Sequence, residues 1–555
     1  MRRALARLCS AALAWMVVNT AAVAADAGVP GEALYRQGLR SDGRAVSATR
    51  VAGGSLQGQA AACVNCHQRS GLGGREGRIA VPPITGAYLF RGPPTPGGGD
   101  GAELPYVDGI RGDRPAYTDA TLARALREGI DAKGLQLGDL MPRYQIDDAE
   151  MSVLIGYLRG LNRPREPGVT GTHLHFATIV SPDASPAAKR AMLDVMQHFV
   201  EERNARQMAP VPAMKTSAHT SYARSMFRVN RKWVLHVWEL TGAPATWQAQ
   251  LERRLAEEPV FAIVSGLGGR EWAPVHAFCE RSAVPCLFPN VEVPPPEADR
   301  DFYSLYFSRG VLLEADLAAH ALMESQPAGR PQRVLQVYRE GDVGEAAAKG
   351  LQAALEGSAH QLTARVIPRD AAPQAVAAAL TPALDGSALA DAIVLWLRPG
   401  DIDALRAMPM PSMPVLLSGQ MAGLEQAPVP AEWRAAVRML YPVDLPQKRR
   451  VRVDYAMGWM SANHIPITSP RVQADTYLVM GLLSETLQHM TDAFVRDYLV
   501  ERFQNTLDHR IITGFYPRLS LAPGQRFASK GGRIVRFDPR APGAAVVPET
   551  DWTIP

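Results

Sequence analysis

Residues 63–67 read Cys63-Val64-Asn65-Cys66-His67, and this C-x-x-C-H run constrains the chain more than any other stretch. It is the pattern for covalent attachment of a c-type haem. Two thiols at that spacing add to the two haem vinyl groups as thioethers, with one turn of backbone along the porphyrin edge. The histidine that follows lies under the iron as its proximal ligand. The same residue types also serve as a redox dithiol or as half of a zinc site. A redox dithiol sits at the end of a strand in a βαβ unit, and no such unit surrounds residues 63–67. A zinc site needs a second Cys/His pair nearby, yet the next histidine is His173 and the next cysteine Cys279. One covalent haem c on Cys63, Cys66 and His67 is the expectation.

The N-terminus bears on compartment. Arg2, Arg3 and Arg7 precede an apolar run from Ala11 to Val18 and then Ala21-Ala22-Val23-Ala24-Ala25. Residues 1–25 read as a signal peptide cleaved after Ala24 or Ala25. The apolar run is short for a membrane span. An exported, periplasmic protein is expected, which is where haem c is attached. Removing three arginines from a formal charge of +4 leaves the mature chain near +1, so charge gives no argument for nucleic acid or an anionic surface. Of five cysteines, one lies in the signal and two in the haem motif. Cys279 and Cys286 remain, and a short-loop disulfide is expected for an exported chain, with two buried thiols as the alternative.

The iron needs a sixth ligand, and two methionines compete for it. Met151 follows Asp147, which reads as a helix N-cap with Glu150 as its partner. Met151, Leu154, Ile155, Leu158 and Leu161 recur at helical spacing, which makes Met151 a core residue. Met141 precedes Pro142, which disfavours helix there and leaves Met141 on a loop able to reach the iron. His/Met ligation raises the reduction potential relative to bis-His ligation.

Residues 31–161 resemble class I cytochrome c domains. The resemblance rests on the C-V-N-C-H run, Gly71, Gly73 and Gly74, the segment Val81-Pro82-Pro83-Ile84-Thr85-Gly86, the loop Leu140-Met141-Pro142-Arg143-Tyr144 and a final amphipathic helix. It implies that His67 and Met141 are the axial metal ligands. It also implies that the carbonyl of Pro82 or Pro83 orients the His67 ring, and that Arg143 and Tyr144 are either propionate partners or ordinary surface residues. Residues 91–117, rich in Gly and Pro, are an insertion relative to a minimal cytochrome.

That domain, placed at residues 26–163, leaves most of the chain unexplained, and the length calls for more than one domain. Residues 164–172 read as a linker. From 173 to 555 short apolar runs alternate with helical patterns. Strands are expected at His173–Val180, Trp233–Leu240, Val260–Ser265 and Pro285–Pro289, then at Arg333–Arg339, Thr363–Pro368, Ala392–Leu397 and Pro414–Ser418. Two βα series imply two parallel-sheet lobes. The expected fold class is therefore an all-α cytochrome c domain followed by a two-lobed α/β domain, and closure of two such lobes around a small molecule is a common use of that architecture.

Residues 173–555 also resemble type I periplasmic solute-binding proteins of the branched-chain amino-acid-binding, leucine-binding-protein-like kind. The segments that carry this are Val260 to Gly266, Phe302 to Gly310, Gln473-Ala474-Asp475-Thr476-Tyr477 and Tyr516 to Ser520. The pairing resembles cytochrome c/ABC transporter substrate-binding fusion proteins. It implies a ligand in the interlobe cleft at the C-terminal ends of strands, near Ser265, Gly266 and Gly268, with Tyr338 and Ser418 of the Ser418-Gly419-Gln420 turn as weaker candidates. Such amino-acid binders carry paired hydroxyls in the first turn, whereas this chain has Ser265-Gly266-Leu267-Gly268-Gly269-Arg270, and Arg270 is a candidate partner for a carboxylate.

No nucleophile elbow, zincin or P-loop motif is present, and His173 and His175 read as one side of a half-exposed strand. No catalytic residue is expected, and the chain reads as an electron carrier and ligand binder, with an oxidoreductase acting on a ligand held in the cleft as a third reading. The main functional expectation is a carrier of single electrons between a periplasmic dehydrogenase and a respiratory acceptor. The alternative is a solute-binding receptor for an ABC-type permease or sensor, with haem as redox reporter.

Overall fold

The computed structural model describes residues 30–76, 79–91, 114–161, 166–207, 231–295, 301–325, 330–385, 389–490, 493–522, 524–540 and 545–555. The expected signal peptide, most of the 91–117 insertion and the start of the linker lie outside these residues. Among the described residues no helix is long and apolar enough to cross a membrane. The chain forms two compact units that divide after Leu161.

Among the described residues the smaller unit packs five helices around one apolar core: the single turn Gly86–Leu89 and α1 (Glu32–Gln37), α2 (Val64–His67), α3 (Asp119–Glu128) and α4 (Asp148–Gly160). Asp147 caps α4 as expected, its carboxylate accepting from the Glu150 N–H at 2.9 Å. Met151, Leu154, Ile155 and Leu158 form the buried face of α4, so Met151 is a core residue. The unit is not all-α. Strands β1 (Ser47–Thr49), β2 (Ser55–Gln57) and β5 (Arg143–Gln145) make an antiparallel sheet, and β3 (Gly74–Glu76) pairs with β4 (Ile79–Val81). Gly53 and Gly54, both at positive φ, supply the reversal between β1 and β2. Three-residue strands are too short to show a period of two, which is why the sequence reads as helix and loop there.

The larger unit is two α/β lobes. In the first, β6 (His173–Val180), β7 (Lys232–Glu239), β8 (Ala262–Val264), β10 (Cys286–Leu287) and β12 (Ser304–Leu305) form a parallel sheet in the order β7-β6-β8-β10-β12. Two short strands, β9 (Leu267–Gly268) and β11 (Asn290–Val291), extend it past backbone kinks at Ser265 (φ 54°) and Phe288 (φ 53°). Such positions are strained for residues with a Cβ and collect at functional edges. Helices α5 (Pro186–Gln207) and α6 (Ala273–Arg281) pack on this lobe.

Helix α7 (Val311–Glu324) opens the second lobe. Its seven strands are β13 (Gln332–Arg339), β14 (His360–Ile367), β15 (Ala392–Trp396), β16 (Val415–Ser418), β17 (Val437–Tyr441), β18 (Arg533–Phe537) and β19 (Val546–Pro548), in the order β14-β13-β15-β16-β17-β18-β19. The first five in that order are parallel and the last two antiparallel. Each strand expected from the apolar runs is present in both lobes, within a few residues of its expected ends.

The chain then returns to the first lobe with α8 (Pro470–Met490) and α9 (Arg496–His509). Three segments therefore cross between lobes, near residues 306–310, 442–446 and 526–532. They pair with neighbouring chain: Tyr306 N–H donates to Arg526 O (2.9 Å), Ser529 N–H to Phe307 O (2.7 Å) and Asp444 N–H to Phe515 O (2.8 Å). Arg496 fastens α9 to the first sheet by donating to the carbonyls of Val260 (2.6 Å) and Phe261 (3.2 Å), and to those of Ser282 and Ala283. Replacing buried Arg496 with Met orphans those acceptors, so the larger unit is expected to lose about 3 kcal/mol of stability in urea denaturation followed by tryptophan fluorescence.

Candidate functional site

Two sites emerge, one in each unit. In the smaller unit the C-x-x-C-H run is one helical turn: His67 N–H donates to Cys63 O at 2.9 Å, which puts both thiols and the imidazole on one short element. Gly73 carries φ +68°, and a Cβ there would lie 2.1 Å from Val81 O. Only glycine permits that approach, and the β3–β4 hairpin then returns Pro82 to the histidine. The Nδ1 of His67 lies 2.9 Å from Pro82 O. A carbonyl can only accept, so Nδ1 carries the proton and Nε2 keeps its lone pair. His67 is buried, and burial pushes its pKa down to about 4, against the Pro82 hydrogen bond, so the ring is neutral.

Cys63 is buried with its thiol 3.8 Å from the Tyr144 hydroxyl, and burial lifts its pKa to about 11. Tyr144 itself is buried and donates to Ala61 O at 2.9 Å, so it is neither a surface residue nor free for a propionate. Arg143 donates to Met141 O at 2.5 Å and covers Gly129. Its guanidinium holds the methionine loop. Met141 is half-buried against the same core as Cys63, on the turn closed by Met141 N–H to Gly138 O at 3.0 Å. Among the described residues no group of three or more His, Cys, Asp or Glu side chains is placed to hold a metal ion. Adjacent thiols, a bare Nε2 and an apolar surround fit haem c, whose macrocycle brings its own equatorial donors; a bare ion does not fit.

In the larger unit a cavity of about 420 Å³ lies between the lobes, within the usual range for small-molecule pockets. The first lobe supplies the start of α5, strands β9 and β11 and the residues just after them, including Gly268, Asn290 and Glu292; α8 adds Arg471 and Asp475. Tyr306, Phe307 and Ser308 come from a crossing segment, and Arg398 and Gln420 from the second lobe. The lobes are bonded across this cavity. Arg398 donates to both oxygens of Glu292 (2.7 and 2.8 Å) and also to Asp342. Arg270 donates from Nη1 to Gly341 O at 2.7 Å, a second bond between the lobes, and it is not among the residues that line the cavity.

Of the expected ligand residues, Gly268 lines the cavity. Ser265 is fully buried, 3.3 Å from the Thr476 hydroxyl, and accepts from Asn290 Nδ2. Its kinked backbone turns the hydroxyl onto α8 and away from the cavity. Gly266 packs against the Trp272 ring. Tyr338 packs into the second lobe, and Ser418 donates to buried Glu314. Its turn neighbour Gln420 faces the cavity instead. The missed residues are Glu292, Arg398 and Arg471; Asp475 and Tyr516 fall inside segments that carried the resemblance.

Two further expectations have clear outcomes. Cys279 and Cys286 are fully buried and carry free thiols in hydrogen-bonding contact, so the expected disulfide is not formed. Burial pushes the Cys279 thiol well up, which disfavours the thiolate that oxidation needs. His173 and His175 are half-buried on β6 as an ordinary strand face, with His175 bonded to His236 at 3.1 Å.

Burial pushes Glu314 up to about 7, against bonds from Ser418 and the Gln420 N–H, and Asp475 up to about 6, against Arg471 and Tyr516. A carboxyl raised from 4.5 stabilises the fold below 4.5 and loses that contribution as pH climbs through 7. For Glu314 the loss is roughly 3 kcal/mol. Thermal denaturation of the larger unit is expected to move to lower temperature between pH 5 and about 7.5, and Glu314→Gln is expected to flatten the profile.

No protein-family model and no curated protein sequence matches the chain. Among solved structures, the fatty acid ABC transporter substrate-binding protein from Thermomonospora curvata is similar at 16% identity, covering 70% of this chain and 95% of that one, with a TM-score of 0.48. A branched chain amino acid ABC transporter protein from Thermus thermophilus with bound valine is similar at 11% identity, covering 70% and 98%, with a TM-score of 0.48. A substrate binding protein of an ABC transporter from Aeropyrum pernix is similar at 9% identity, covering 69% and 96%, with a TM-score of 0.49. These TM-scores lie below 0.5, and neither function nor ligand is carried over from them.

Proposed function

We propose that the chain is an exported receptor for a small molecule, with the ligand seated in the interlobe cleft and one covalent haem c on the smaller unit. The observation that carries the receptor reading is the cavity lined by both lobes and spanned by the Arg398–Glu292 pair. Two lobes joined by three crossing segments can hinge open and shut around an occupant. A periplasmic setting and an ABC-type permease as partner belong to this reading. On this reading the expected behaviour is binding without turnover.

On the smaller unit, Cys63 and Cys66 would hold the haem by thioethers, and His67 and Met141 would be its axial ligands. Haem supplies one-electron exchange when bound. The chain's own residues set the terms: Pro82 fixes the His67 tautomer, Arg143 holds the Met141 loop, and the apolar core excludes water. This favours a second reading, single-electron transfer with a periplasmic dehydrogenase or other redox partner.

A redox titration of the exported chain tests both readings. A midpoint potential that moves when a cleft ligand is added joins receptor and haem in one device. A potential indifferent to a bound ligand leaves two separate modules, and turnover of the ligand would sink the receptor reading.

A further inference from the structure

Two guanidinium groups line the cleft, and they differ. Arg398 is spent: its Nε, Nη1 and Nη2 all donate to Glu292 or Asp342 at 2.7–3.0 Å. Arg471 is open. Its Nη2 lies 3.5 Å from the Tyr516 hydroxyl and its Nε 3.7 Å from Asp475 Oδ2, both long for an N–H···O bond. Its Nη1 has no hydrogen-bond partner among the described residues. A planar fork of loosely held donors facing a cavity matches a carboxylate, which takes two parallel N–H bonds. The first turn of the 22-residue helix α5 lines the same cavity, and its positive end also favours an anion.

The carboxylates of the cleft show the opposite. Asp183 accepts from Ser181, Arg270 N–H and Gly269 N–H. Both oxygens of Glu292 are taken by Arg398. Asp475 Oδ2 accepts from Tyr516 at 3.2 Å and faces Arg471, while Oδ1 is buried with no hydrogen-bond partner among the described residues. Of the three carboxylates that line the cavity among the described residues, only Asp475 keeps an unpartnered oxygen, and that oxygen is buried away from the cavity surface. The remaining walls include Leu267, Pro289, Val291, Phe307, Val311 and Val472. An amino acid placed here would leave its ammonium desolvated and unpaired.

We infer that the cleft takes an apolar monocarboxylate, anchored by its carboxylate on Arg471 and carrying no amino group. This rests on the receptor reading above and narrows it to a chemical class. The paired hydroxyls that amino-acid binders place in the first turn are absent, and a cation on α8 takes the anchoring role instead.

Isothermal titration and thermal shift of the full chain would test it. One arm holds butanoate, hexanoate, octanoate, benzoate and phenylacetate; the others hold leucine and phenylalanine, hexylamine, and hexanamide. At least one acid is expected to bind and raise the melting temperature, while its amino-acid, amine and amide counterparts do not. Arg471→Gln is expected to weaken the acid about 10- to 100-fold. Arg471→Lys, which keeps the charge and loses the fork, is expected to weaken it less, and it serves alone if the Gln variant does not fold. Equal binding of the acid by Arg471→Gln, or tighter binding of leucine or hexylamine than of any acid, overturns the ligand class and leaves the receptor standing. Failure of every acid overturns the class as well; failure of all four arms takes the receptor reading with it.

Discussion

Serine at both Cys63 and Cys66 is expected to leave the exported chain with no covalently bound haem. The pyridine haemochrome band and the haem stain on a denaturing gel should both vanish. The effect is all-or-none because the thioethers are the only covalent tether the motif offers. Met141→Ala should act differently: covalent haem is kept while the reduction potential falls, since a thioether axial ligand raises it. Met151→Ala discriminates between the two methionines. Met151 is 3% exposed in the core of α4, so its loss should destabilise the unit by about 2–4 kcal/mol and leave the haem spectrum unchanged. Haem retained in the double-serine variant would contradict the covalent assignment.

Breaking the bond across the cleft has the second largest expected effect. Arg398 is the one side chain that joins Glu292 of the first lobe and Asp342 of the second. Arg398→Ala leaves two carboxylates facing one another with no cation between them. The group is about a third exposed, so the cost is discounted from the 3–5 kcal/mol of a fully buried pair to about 1–2 kcal/mol. Most of that cost falls on the closed form, so ligand affinity should drop about 10-fold and the radius of gyration in solution should rise. Glu292→Gln keeps one hydrogen bond and should give a smaller change in the same direction. An Arg398→Ala chain as compact as the wild type, with unchanged affinity, would show that the pair is ornamental.

Much of this architecture was legible in the sequence, for local reasons. Asp147 as a cap, α4 with its apolar face, the His67 turn and the strand runs of both lobes are all signalled within a dozen residues. The carbonyl of Pro82 at the His67 ring was legible through the cytochrome resemblance. The short sheet around β1 was not, because its strands show no period. The cleft was read only in part. Strand ends were the right place to look, and Gly268 lies there. Yet the kink at Ser265 turns its hydroxyl onto Thr476, a contact 211 residues away in sequence. Arg471 sits in the first turn of a long helix, where an arginine reads as an ordinary solvated charge. Only the return of the chain to the first lobe brings it to the cavity. The same holds for Cys279 and Cys286: spacing allowed a bridge, whereas the structure carries two buried thiols in contact.

The central claim is that the cleft between the two lobes is the ligand site. Hydrogen–deuterium exchange of the full chain, with and without the compound that gives the largest thermal shift, tests it most directly. Protection is expected in peptides covering residues 181–189, 266–270, 289–294, 306–311, 396–400, 416–422, 470–476 and 514–517, and little elsewhere in the larger unit. Binding accompanied by protection outside those segments, with none in them, would contradict the account.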